Sequence, residues 1–114
     1  MAKVLIITSL VLEIKKKFSP SEADKIIDLM ESLEENPHKG KLLSSVGGIV
    51  IKELKYNAFR FYVITDGFRL KCMGAEELTD LLLKFVRMSD KKQQQKTIEE
   101  IKQVLRLIGA GGFL

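Results

Sequence analysis

Residues 53 to 64 read Glu53-Leu54-Lys55-Tyr56-Asn57-Ala58-Phe59-Arg60-Phe61-Tyr62-Val63-Ile64, and their spacing decides the fold class. From Phe59 onward aromatic and β-branched side chains alternate with a second set, and a period of two marks a strand with two unlike faces. Phe59, Phe61 and Val63 supply an apolar face for a core. Arg60, Tyr62 and Ile64 form the other, which sets an arginine and a tyrosine side by side on rigid backbone. Tyr56-Asn57 breaks this strand from its predecessor, read as Ile49 to Lys55.

Working outward, Ser44, Ser45, Gly47 and Gly48 make residues 38 to 48 a connector rich in turn formers. Before it, Ser19-Pro20-Ser21-Glu22 gives an N-cap, a proline at the first helical position and a glutamate placed for a capping box. Ala23, Ile26, Ile27, Met30 and Leu33 then recur at helical spacing, and Asn36-Pro37 closes the helix. Val4 to Thr8 reads as a buried strand. Beyond Ser9 two patterns compete: Leu10, Leu12 and Ile14 alternate as a strand would, while Leu10, Val11, Ile14 and Phe18 share one face of a helix capped by Thr8 or Ser9. The short helix is the favoured reading. On the C-terminal side Asp66-Gly67 is a tight-turn signal, and Phe68, Leu70 and Cys72 alternate as another strand would. Gly74 to Asp80 is an acidic loop and Leu81 to Met88 a last, interior strand. Ser89-Asp90 then caps a helix from Lys91 to Ile108, which Gly109 stops. Phe113 and Leu114, in the tail from 110 to 114, either fray or dock on a neighbour.

The expected architecture is α+β: a small antiparallel-rich sheet packed against an N-terminal helix or helices and a C-terminal helix, in one domain from 1 to 109. At 114 residues, 46% hydrophobic, the chain has material for one core and too little for two. A net charge of +4 with a pI near 9.2 favours polyanionic or acidic partners. A single cysteine, Cys72, permits no intrachain disulfide and suits a reducing cytoplasm. Residues 4 to 12 are too short to span a bilayer and lead into Glu13 and Lys15-Lys16-Lys17, not a cleavage site, so no membrane segment is expected.

The chain resembles the RelE/ParE superfamily of small toxins, which includes the RelE and HigB messenger-RNA interferases. The resemblance rests on the helix ending Leu33-Glu34-Glu35-Asn36-Pro37, on Lys39-Gly40-Lys41-Leu42-Leu43 as the start of the sheet, and on Glu53-Leu54-Lys55. Phe59-Arg60-Phe61-Tyr62 and Leu83-Lys84-Phe85-Val86-Arg87, running into Lys91-Lys92-Gln93, complete it. It implies a toxin of a type II toxin–antitoxin pair, an endoribonuclease that cuts messenger RNA on the ribosome, needs neither metal nor cofactor, and is covered by an antitoxin protein. Arg60 matches the family's phosphate-contacting arginine and Arg87 the arginine near the end of the last strand. Lys55 stands where the family's Glu-Leu-Arg has arginine, and Lys91 and Lys92 fall among its post-strand basic residues. The tyrosine often found after the last strand has no counterpart in Lys91-Lys92-Gln93-Gln94-Gln95. That gap supports an alternative, a non-catalytic module of the same fold. A gyrase inhibitor of the ParE kind is a third reading, and the long C-terminal helix suits the HigB-like branch.

RNA cleavage without a metal needs a base for the 2′-hydroxyl proton, cations on the scissile phosphate, and an acid for the departing 5′-oxygen. Arginine stays charged and suits the phosphoryl group, so Arg60 and Arg87 take that role. Lys91 or Lys92 is assigned proton transfer, helped by neighbouring cations that lower a lysine's pKa, and Tyr62 is the candidate acid. Lys52, Lys55 and Lys84 are the expected RNA contacts. Solvated strand charges explain the same residues without function. His38 lacks a second nitrogen or sulfur ligand beyond Cys72 for a zinc site and reads as a surface histidine. Cys72 reads as a small core hydrophobe.

Overall fold

In the computed structural model the described residues are 1–113, with the side chain of Ala75 excepted, so the docking expected of Leu114 lies outside them. Five strands, β1 (Lys3–Ile6), β2 (Lys41–Val46), β3 (Ile49–Tyr56), β4 (Phe59–Asp66) and β5 (Leu82–Asp90), form one mixed sheet in the order β1-β5-β4-β3-β2. β1 runs parallel to β5, and the other three pairings are antiparallel. Helices α1 (Thr8–Lys17) and α2 (Pro20–Glu31) precede β2, α3 (Gly67–Cys72) follows β4, and α4 (Gln94–Leu107) follows β5. The class is α+β, and the Cα radius of gyration of 13.4 Å is that of a compact body of this length, for which about 13 Å is expected.

The apolar face of β4 carries the main core. Phe61 and Val63 are buried there, and Phe59 meets Phe18 edge-to-face at 5.0 Å between ring centroids. α1 buries Leu10 and Ile14, one turn apart, and its last turn carries Lys15, Lys16 and Lys17 at the negative end of the helix dipole. Thr8 is the first helical residue, not the cap; Ile7 occupies that position without a side-chain hydrogen bond. α2 starts where the sequence places it. Ser19 caps it, its hydroxyl accepting from the Glu22 N–H at 3.2 Å, and Ala23, Ile26 and Met30 face inward. The chain then tightens into a 3-10 turn, Ser32–Glu34, before Asn36-Pro37.

Three stretches differ from the residue-by-residue expectation. Residues 41 to 46 form the edge strand β2 instead of a connector, with a register shift between Leu42 and Ser44. Lys41 and Leu42 are its first two residues. Residues 67 to 72 form a helix instead of a strand, because Asp66 caps it: its Oδ1 accepts from the Arg69 N–H at 3.0 Å. Leu70 turns inward while Phe68 and Cys72 are exposed, so Cys72 is not the core residue expected. The final helix also starts later than expected. β5 runs on to Asp90, whose carboxylate accepts from the Gln93 N–H at 2.9 Å, and Lys91 to Gln93 form the turn into α4. Gly109, at φ 89°, ends the helix, and a 3-10 turn at Ala110–Gly112 delivers Phe113 into the core. No helix among the described residues is long and apolar enough to cross a membrane.

Candidate functional site

The sheet register decides which cations meet. Lys55 pairs with Arg60 and Glu53 with Tyr62 across β3 and β4, while Arg60 pairs with Ser89 and Tyr62 with Arg87 across β4 and β5. Residues directly opposite one another share a face, so Glu53, Lys55, Arg60, Tyr62, Arg87 and Ser89 all lie on one side. A bulge adds to this set. Between Tyr62 and Val63 the register with β5 shifts by one, leaving Val86 as the extra residue and bringing Lys84 opposite Ile64, on the same face as Arg87. Without that residue Lys84 and Arg87, three apart, would point to opposite sides. Arg87 Nη1 donates to the Val86 carbonyl at 2.7 Å and fastens the bulge.

Lys52 does not join them. It alternates onto the other face, where it is buried and its Nζ donates to the Pro37 carbonyl at 2.8 Å. An RNA contact from Lys52 beside Arg60 is therefore ruled out by strand parity. Lys91 and Lys92 are exposed in the turn after β5, at the end of the sheet where Phe59 pairs with Asp90.

The face is covered. α4 packs against β5 and β2, burying Ile98, Ile101 and Leu105, and Phe113 packs beneath the Arg87 guanidinium at 5.1 Å. Both arginines of this face have a carboxylate. Arg60 Nε lies 3.3 Å from Glu53 Oε1, and Gln94 of α4 donates to the same oxygen at 3.0 Å. Arg87 Nε donates to Glu100 of α4 at 2.7 Å. Tyr62 is buried, its hydroxyl 2.7 Å from Ser89 Oγ. Burial pushes its phenol above the ordinary value; the Ser89 hydrogen bond opposes that, Glu53 reinforces it and Arg60 opposes it. In this arrangement Tyr62 is a structural phenol, buried and hydrogen-bonded to Ser89, out of reach of a substrate.

The groups open to solvent are thus Lys55, Lys91 and Lys92, with Arg87 partly exposed and Lys84 half-buried and donating to the Ala110 carbonyl at 3.3 Å. Beside Arg87's partner Glu100 lies a polar cleft of about 290 Å³ between α1 and α4, lined by Lys17, Ser89, Asp90, Lys96 and Glu100 among others. Sequence reasoning missed Glu53 and Glu100, the two carboxylates that hold the arginines. Glu53 was visible as a β-strand acid opposite Tyr62 only once the register was known, and Glu100 depends on where α4 crosses. No family model, no curated protein and no solved structure matches this chain.

Proposed function

We propose that the chain is a RelE/HigB-like toxin, a metal-independent endoribonuclease acting on messenger RNA at the ribosome and restrained by an antitoxin protein. The observation that supports it is the shared face of Lys55, Arg60, Tyr62, Lys84 and Arg87 over β3, β4 and β5, ending at the Lys91-Lys92 turn. On this reading Arg87 neutralises the scissile phosphoryl group, and Arg60, its charge balanced by Glu53, fixes the strand behind it. Lys91 or Lys92 takes the 2′-hydroxyl proton as the 2′-oxygen attacks phosphorus and the bond to the 5′-oxygen breaks; a second protonated group returns a proton to that oxygen.

A specific observation favours a second reading, a non-catalytic module of the same fold. Both arginines are already paired with carboxylates, and the tyrosine is buried against Ser89. Charges compensated in this way hold a sheet to its helix as well as they bind a phosphate.

Inducible expression followed by primer extension on cellular messages separates the two. The toxin reading expects growth arrest with cuts inside translated messages, lost in Arg87→Ala and in Lys91→Ala/Lys92→Ala. Intact messages without arrest support the silent module, and arrest with intact messages and DNA damage supports a gyrase target.

A further inference from the structure

The opposite face of the sheet holds a second basic site that the toxin reading does not use. Lys52 stands on β3 at the floor of a cleft of about 310 Å³, lined by His38, Gly40, Leu42, Lys52, Leu70 and Lys71. The residue is 2% exposed, and its ammonium donates to the Pro37 carbonyl. An ammonium has three protons to donate, so two are left for another acceptor. The three ion pairs among the described residues use Glu53, Glu99 and Glu100, and none includes Lys52. Burial without a carboxylate pulls this amine down to about 8.

The walls are built around it. The turn after Pro37 passes directly above Lys52: Gly40 has φ 101°, and a Cβ there would meet the Glu53 carbonyl oxygen at 2.9 Å and Lys52 Cε at 3.7 Å. Glycine is therefore required by conformation and by space. His38 on that turn and Lys71 on α3 are exposed and bring two further nitrogen-bearing side chains to the rim, while Leu42 and Leu70 give the cleft apolar sides. Among the described residues, no acidic side chain lines it.

We propose that this cleft binds a small phosphoryl-bearing anion, with Lys52 at its floor and Lys71 and His38 at its rim. Such an anion supplies the counter-charge that a buried ammonium lacks and accepts its remaining protons. The volume lies at the lower end of the range for small-ligand sites, about 300 Å³, which suits a phosphate monoester whose organic part lies on Leu42 and Leu70. The proposal is independent of the toxin reading, because the site faces away from Arg60 and Arg87.

The test is titration of inorganic phosphate, at constant ionic strength, into the protein carrying [13Cε]lysine and labelled histidine. The proposal expects saturable shifts at Lys52, Lys71 and His38, and a Lys52 titration midpoint that moves upward from about 8 as phosphate is added. Lys71→Gln weakens binding at least fivefold with an otherwise unchanged spectrum, and Lys52→Met abolishes it. Linear, unsaturated shifts shared equally with Lys39, Lys41 and Lys15, or a Lys71→Gln protein that binds as wild type, overturn the proposal.

Discussion

Arg60 Nε stands 3.3 Å from Glu53 Oε1, and the two side chains are only 10% and 9% exposed. Removing one member of a buried pair strands the other charge, which costs about 3–5 kcal/mol. Glu53→Leu and Arg60→Ala are each expected to lower stability by an amount of that order in urea denaturation. The double variant Glu53→Leu/Arg60→Met should recover most of the loss, since a well-packed apolar pair replaces the ions.

Arg87 behaves differently because its pair is open, with side-chain exposures of 30% for Arg87 and 52% for Glu100. Exposed pairs contribute about 0–1 kcal/mol, and the Phe113 contact adds about 0.5–1 kcal/mol. Arg87→Ala should therefore fold and lose no more than about 2 kcal/mol on these figures. It is the better probe of catalysis than Arg60→Ala, whose defect mixes function with folding.

Tyr62→Phe removes a buried hydroxyl and leaves Ser89 Oγ without that partner. A loss of about 1–3 kcal/mol is expected. The raised phenol also carries a pH signature: the folded state holds the neutral form, so the unfolded chain releases this proton first. Stability from Tyr62 is full below pH 10.0, the ordinary value, and falls as pH rises beyond it. Ultraviolet titration of the native protein should show one of its two tyrosines ionising late, and Tyr62→Phe should remove that late step.

Lys52 gives the opposite slope. Its folded value, about 8, lies below the ordinary 10.5, so between those values the unfolded state binds more protons and stability rises with pH. Between pH 7 and 9.5 the gain from this one group is about 2 kcal/mol. Urea midpoints should climb over that interval in wild type and stay flatter in Lys52→Met. A wild-type profile no steeper than the variant's contradicts the buried, unpaired amine.

Much of the fold was legible because local signals agreed with each other. Ser19-Pro20 announced α2, the Phe59-to-Ile64 alternation gave β4, and the apolar run at Leu81 to Met88 marked an interior strand. Two elements were hidden by competing local chemistry. The serines of β2 look like turn formers, and only pairing with β3 makes them a strand. Phe68, Leu70 and Cys72 alternate as a strand does, but Asp66 capping the Arg69 N–H makes a short helix instead. For the site, strand parity would have separated Lys52 from Lys55, and no sequence signal marked the Val86 bulge that brings Lys84 round to Arg87. The pairing of Arg87 with Glu100 was illegible, since it depends on how α4 lies across the sheet.

The most direct test of the nuclease account uses purified protein and ribosomes programmed with a defined message, in a magnesium buffer that keeps them assembled. Wild type is expected to cut the message, and Arg87→Ala, assayed well below its own thermal midpoint, to cut at least about 100-fold more slowly. A message left whole by the wild-type protein, or cut equally fast by the variant, contradicts it.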